Sequence, residues 1–184
     1  MNVLYSFCKT ENFILSKEMC NLFFYIFTSP KVDSKQVAHF LDTKSEKFAE
    51  LVINNLHKYQ STSDDVEDKY YYMRRESLIL LDKIMNNPEY EKFNSAFTNN
   101  IDILKLIMTL MNHKSNQIII RSITLLNFLF LDIENRNLAI KQILYTNKEN
   151  FEIFFSKHTD LTEIEEKKNF ILYELERLGN ILNE

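Results

Sequence analysis

Residues 70–86 read YYYMRRESLILLDKIMN. Met73, Leu78, Leu80, Leu81, Ile84 and Met85 recur at three- and four-residue steps, while Arg74, Arg75, Glu76, Asp82 and Lys83 fill the positions between. A repeat near 3.6 residues, the period of an α-helix, lays one apolar stripe along the helix and leaves a charged face to water, so the stretch is predicted to be an amphipathic helix. The Asn86–Asn87 pair and Pro88 end it, because proline supplies no N–H and disfavours helical backbone in the residue before it. A shorter periodic segment carrying Tyr90, Phe93 and Phe97 runs on to Asn99–Asn100. A third, Ile101 to His113, sets Ile103, Leu104, Ile107, Met108, Leu110 and Met111 on one broad stripe.

The pattern then restarts. Gln117–Leu131, QIIIRSITLLNFLFL, is apolar on nearly every side of a helix, which predicts burial between layers; a shorter helix near Asn137–Tyr145 and another at Glu149–His158 follow. Three helices thus recur twice, from starting points near Lys69 and Asn116 that lie about 47 residues apart, the period of armadillo or HEAT units whose faces are buried against their neighbours. An earlier, weaker unit fits Leu15–Ser29, Val32–Leu41 and Glu46–Tyr59. Thr162–Asn183 reads as a final amphipathic helix, with Ile164, Phe170, Ile171, Leu175, Leu178 and Leu182 inward and a charged outer face suited to capping a stack. Gln60–Lys69, QSTSDDVEDK, is polar and acidic and is expected to be a surface loop. The expected fold is therefore an all-α, armadillo/HEAT-like helical repeat, an α-solenoid. Residues 1–184 form a single domain: a weak unit at 1–60, the acidic loop at 60–69, repeats at 70–113 and 116–158, and a capping helix at 160–184.

Composition agrees. Apolar residues make up 45% of the 184 residues, enough for a core, and only 1 Gly and 2 Pro occur. Positive-φ turns and glycine loops that wrap phosphates have almost no raw material, which argues against a β-sandwich and a mononucleotide-binding loop. The net charge is −4 and the pI about 5.7, with acids and bases interspersed, so counterion release from a nucleic-acid backbone has little to act on and nucleic acid is not an expected partner. Cys8 and Cys20 lack a metal-ligand spacing, and no charged-then-apolar leader precedes them, a pattern that suits reduced thiols in the cytosol. The apolar stretches Leu22–Phe27 and Ile118–Leu131 are too short or too interrupted by Arg121, Ser122, Thr124 and Asn127 to cross about 30 Å of hydrocarbon, so a membrane is not expected either.

No catalytic constellation emerges. His39, His57, His113 and His158 lie far apart with no HxxxH or CxxC companion, and read as surface or helix-capping residues. Asp64, Asp65, Glu67 and Asp68 lack the alternate oxygen ligands, mid-loop Gly and terminal Glu of a calcium-binding EF-hand. Glu163, Glu165 and Glu166 with Lys167 and Lys168 make a solvated helix face. The expectation is a protein that is not an enzyme and uses no metal and no cofactor. Aromatic residues reach 13% without a Trp. Phe128, Phe130, Phe154 and Phe155 read as core, while Tyr70, Tyr71 and Tyr72, beside the acidic loop, suit either core or partner contact.

Three runs carry a family resemblance: YMRRESLILL (Tyr72–Leu81), ILKLIMTLMNHKSNQI (Ile103–Ile118) and FFSKH (Phe154–His158). Together, and more weakly through VAHFLDTKSEKF (Val37–Phe48) and ENFILSKEMC (Glu11–Cys20), the chain resembles the C-terminal half of the calcium-binding protein 39 family, also called the Mo family of kinase scaffolds. The resemblance implies an armadillo-like scaffold that binds the STE-related adaptor pseudokinase, supports the LKB tumour-suppressor kinase, and in other settings stimulates sterile-twenty-type kinases. It implies a pocket for a Trp-Glu-Phe tail of the partner, with Arg75 pairing the tail's carboxylate and Met108 packing its aromatics. The candidate partner-binding residues are Arg75, Ile79, Lys105, Met108, Thr146, Asn147 and Asn150.

Two family-pocket basic residues correspond to Thr146 and Asn150 here, and the match breaks down around Pro88–Tyr90, where an Arg and a Phe of the family meet the kinase lobe. The chain also starts where the family would be about half complete. Tail binding is accordingly better supported than kinase activation, and a helix around Val3, Leu4 and Phe7 with nothing before it would favour self-association. Two alternatives remain: a helical-repeat adaptor for an unrelated partner with the tail pocket eroded, and a small helical enzyme or ligand carrier with a closed cavity lined by converging His, Asp or Glu.

Overall fold

A computed structural model describes residues 13–29, 31–57 and 71–183. The expectations placed on Val3–Phe7, Cys8, Tyr70 and the acidic stretch 60–69 lie outside the described residues. Among those residues the fold is all-α and of helical-repeat type, with no strand: α1 (Phe13–Thr28), α2 (Ser34–His57), α3 (Tyr71–Met85), α4 (Glu91–Thr98), α5 (Ile101–Leu110), α6 (Asn116–Phe130), α7 (Leu138–Thr146), α8 (Lys148–Lys157) and α9 (Glu165–Asn183). No described helix is long and apolar enough to cross a membrane.

With one glycine in the chain, helix ends are closed by other means. Pro88–Tyr90, Ile133–Asn135 and Thr162–Ile164 form single 3₁₀ turns, and no described residue has positive φ. Asparagine takes the caps. Asn87 Oδ1 accepts from the Glu89 N–H ahead of Pro88, Asn100 Oδ1 accepts from the N–H groups of Asp102 and Ile103 at the start of α5, and Asn137 Oδ1 accepts from Ile140 at the start of α7. The C-terminus of α6 is capped by Arg136, whose guanidinium donates to the carbonyls of Leu129 and Phe128, both at 3.1 Å. Burial pulls that guanidinium below the ordinary arginine range, and the charge of Asp132 works against the shift.

The chain forms two compact units, Met1–Ala96 and Phe97–Glu184. The boundary falls within α4, inside the stretch expected as the repeat 70–113. In the first unit α1 and α2 pack on α3. The expected segments Val32–Leu41 and Glu46–Tyr59, the second described only as far as His57, fall in one helix, α2, that leaves helical geometry at Lys44 (φ −130°, ψ 16°). An aromatic chain makes the core: the ring of Phe27 lies 5.2 Å from Phe48, which lies 5.6 Å from Phe93. Tyr90 is buried with them, its hydroxyl donating over 3.4 Å to the Phe27 carbonyl.

The second unit is built around α6. Nine of its fifteen residues are buried because α5 covers one side while α9 and the turn at Thr162–Ile164 cover another. That is the physical meaning of a helix apolar all round. The expected capping helix is α9 entered through that 3₁₀ turn; Ile164, Ile171, Leu175 and Leu178 are fully buried. Each such leucine cut back to Ala would cost about 2–5 kcal/mol. Helices α7 and α8 pack against each other and against α9, and α7 also meets α5.

Candidate functional site

An open groove of about 580 Å³ lies in the second unit, within the size range of ligand pockets. One wall is the C-terminal end of α5, with Met108, Thr109, Met111 and Asn112; the other is α8 from Asn150 to Lys157, entered at Asn147 and closed by His158. Both walls follow from helical spacing. On α5, Ile103, Leu104, Leu106, Ile107 and Leu110 take the inward stripe, so Met108 is left at its edge, half-buried. On α8, Phe151 and Phe155 occupy the inward i,i+4 positions, which turns Ile153 and Phe154 toward the groove.

The polar groups of the groove are held by the fold. The side-chain amide of Asn147 donates to the Ile143 carbonyl at 2.8 Å, and its Oδ1 accepts from Asn150 Nδ2 at 3.1 Å. Asn112 donates to the Met108 carbonyl and the Thr109 hydroxyl to that of Lys105. At the far end the His158 ring is stacked on Phe154, 4.3 Å between centroids, and its Nδ1 lies 2.9 Å from the Phe154 carbonyl. A neutral ring in that position carries its proton on Nδ1 and leaves Nε2 as an acceptor. Among the described residues, Lys157 is the one formally charged side chain in the walls. Apolar floor, amide rim and a single cation make a surface for binding.

Of the candidate residues, the structure brings Met108, Asn147 and Asn150 together in this groove. Thr146 is the exposed last residue of α7, and Lys105 is exposed on α5, 3.8 Å from Asp102; neither lines it. Arg75 and Ile79 belong to the first unit, both half-exposed on α3, with the Arg75 guanidinium bonded to the neighbouring Glu76 carboxylate. Phe154, read from sequence as core together with Phe128, is half-buried, as is Phe128; Phe130 and Phe155 are buried as expected. The error at Phe154 has a simple origin: it stands one residue off the stripe set by Phe151 and Phe155. Sequence reasoning also missed Ile153, Lys157 and His158. Their signal was present, since Ile153 and Phe154 are apolar residues outside the inward stripe of a short helix.

His113 and His158 sit at helix ends, the first accepting the Ser115 N–H on Nδ1 just before α6. Among the described residues no three His, Cys, Asp or Glu side chains come together as metal ligands.

Residues 1–179 match the model of a known protein family, the Mo25-like family. No curated protein matches the chain at a significant level.

Proposed function

The chain belongs to the Mo25-like family, and from that premise we propose that it is a non-catalytic scaffold holding a protein kinase or pseudokinase of the STE-related adaptor or sterile-twenty type. The groove floored by Met108 takes an aromatic C-terminal tail of that partner. The observation that carries this reading is the convergence of Met108 with Asn147 and Asn150, a pair distant from it in sequence, on one largely apolar groove. The scaffold acts in the cytosol, with no metal or cofactor, and Arg75, Ile79, Lys105 and Thr146 add contacts to the partner outside the groove.

The energetic logic is uneven. Two aromatic anchors in a desolvated groove can contribute about 2 kcal/mol or more each, whereas a solvent-exposed ion pair at Arg75 gives about 0.2–1 kcal/mol. Arg75 is moreover already engaged by Glu76. A labelled peptide ending in Trp-Glu-Phe, titrated by fluorescence anisotropy, is expected to bind saturably. Met108→Asp, which sets a charge on the apolar floor, abolishes that binding, while Arg75→Ala weakens it about tenfold or less. Since Met108 is half-buried at the stripe's edge, the variant keeps its helical circular dichroism. Equal affinity of wild type and Met108→Asp would move the weight to an adaptor for an unrelated partner. That second reading draws on the rim itself, where the neutral amide of Asn150 stands at a position that the family resemblance gives to a basic residue.

A further inference from the structure

We infer that Lys157 pairs with the terminal carboxylate of the docked tail and so requires the tail to end at the groove. This inference rests on the tail-binding reading above and adds its direction and its end. Among the described residues, the groove walls are graded along α8: the amides of Asn147 and Asn150 at one end, apolar Ile153 and Phe154 between, and Lys157 with His158 at the other. The ten residue steps of near-helical chain from Asn147 to Lys157 span about 15 Å, and an extended tripeptide spans roughly 10 Å. A short tail laid along this wall therefore puts its backbone beside the amides, its aromatics on the apolar middle, and its chain end at Lys157.

Charge complementarity decides the occupant of that end. Among the described residues, Lys157 is the single cation of the walls, and no carboxylate lines them beside it. A helix C-terminus ordinarily repels an anion through its unpaired carbonyls. Here two of them are already engaged: the His158 ring nitrogen takes the Phe154 carbonyl, and the His158 backbone N–H takes that of Phe155. The site for a carboxylate beside Lys157 is thereby relieved of much of the opposing field. A chain that continued past its aromatic residues would bring a neutral peptide bond to this place and forgo the pairing.

The test uses the full chain and two fluorescein-labelled peptides ending in Trp-Glu-Phe, one with a free C-terminal carboxylate and one amidated. Against wild type, amidation is expected to weaken binding roughly two- to fivefold, the range of an exposed ion pair. Lys157→Met keeps the apolar stem, weakens the free-acid peptide by the same factor and binds both peptides equally; Lys157→Arg restores the difference. Raising salt narrows the gap between the peptides for wild type only. If amidation costs the same factor in Lys157→Met as in wild type, or costs nothing in wild type, the carboxylate role of Lys157 is overturned while tail binding stands. If neither peptide binds wild type saturably, or Met108→Asp binds both unchanged, the tail reading fails and the inference with it.

Discussion

Asn137 grips Asn99 through two donated hydrogen bonds: the Asn137 backbone N–H donates to Asn99 Oδ1 and the Asn137 side-chain amide donates to the Asn99 carbonyl, each at 2.9 Å. Asn137 Oδ1 is at the same time the N-cap acceptor for α7, at 2.9 Å from the Ile140 nitrogen, and the next residue after Asn99 caps α5. The first turns of α5 and α7 are thus anchored at one point. Asn137→Ala removes the cap and the side-chain half of the clasp, leaving the backbone N–H bond to Asn99, and is expected to destabilise the chain by about 1–2 kcal/mol. Asn137→Asp keeps the acceptor, loses the donor to Asn99, and should fall between Ala and wild type. Urea unfolding followed by circular dichroism measures the series; wild-type stability for Asn137→Ala would mean that water replaces these bonds without loss.

Arg177 bridges two carboxylates of unequal consequence. Glu174 is only 6% exposed and accepts from the guanidinium at 3.0 Å, whereas Glu134, exposed, is met at the same distance on the other side. Arg177→Met strands the buried carboxylate and is expected to cost about 1–3 kcal/mol. Glu134→Gln should change stability by less than about 0.5 kcal/mol. Glu174→Gln, which leaves no buried charge and keeps Arg177 paired with Glu134, should be milder than Arg177→Met. Denaturant midpoints of the three variants check this order, and an equal effect of Glu134→Gln and Arg177→Met would contradict it.

Tyr90 predicts a loss of stability in alkali. Burial, and secondarily the charge of Glu89, raise its pKa above the ordinary phenol value of 10.0, although the hydrogen bond from Asn87 acts in the other direction. Above pH 10.0 the unfolded chain gives up a proton that the folded chain retains. The stabilisation is therefore intact below the unfolded pKa and is lost as pH rises through the folded one. Tyr90→Phe removes a long hydrogen bond and should cost less than about 1 kcal/mol near neutrality. The variant should also lose stability less steeply between roughly pH 9.5 and 11, near the phenol range. Lysines titrate there as well, so the readout is the difference between the two proteins; parallel curves would show that Tyr90 ionises without penalty in the fold.

Gly179 sits inside α9 because Tyr145 of α7 lies across it: a Cβ there would stand 2.9 Å from the Tyr145 ring edge. Glycine within a helix is about 1 kcal/mol less favourable than alanine, so the close approach offsets an available gain. Gly179→Ala alone is expected to be close to neutral. Combined with Tyr145→Ala, the same change should stabilise relative to Tyr145→Ala by about 0.5–1 kcal/mol. Thermal or urea unfolding of the four proteins closes the cycle, and full additivity would mean that the ring swings aside freely.

Much of this was legible in the chain. Helices α3, α5 and α6 follow from apolar spacing that any solvent-facing helix must show, and α6 announced its burial by lacking a polar face. Asn100 and Asn137 were readable as helix starts, being asparagines directly ahead of apolar runs. The clasp between Asn137 and Asn99 was not, since nothing local distinguishes one exposed asparagine from another.

The three 3₁₀ turns were read as loop or helix, because one turn of three residues carries no period. Of the groove, the sequence reading supplied Met108, Asn147 and Asn150, and left out the rest of the α8 wall, from Ile153 to His158.

Sequence by itself determined the class of the protein: a 3.6-residue apolar period repeated down a chain with one glycine permits helices stacked on helices and little else. Only tertiary structure decided which side of each helix stays uncovered. Met108 and Phe154 are apolar like their buried neighbours, and they become groove walls because each stands at the edge of its helix's inward stripe. Lys157 gained its place in the same way, from the meeting of α5 and α8, and burial on a helix is settled by the partner that packs against it, which local periodicity does not name.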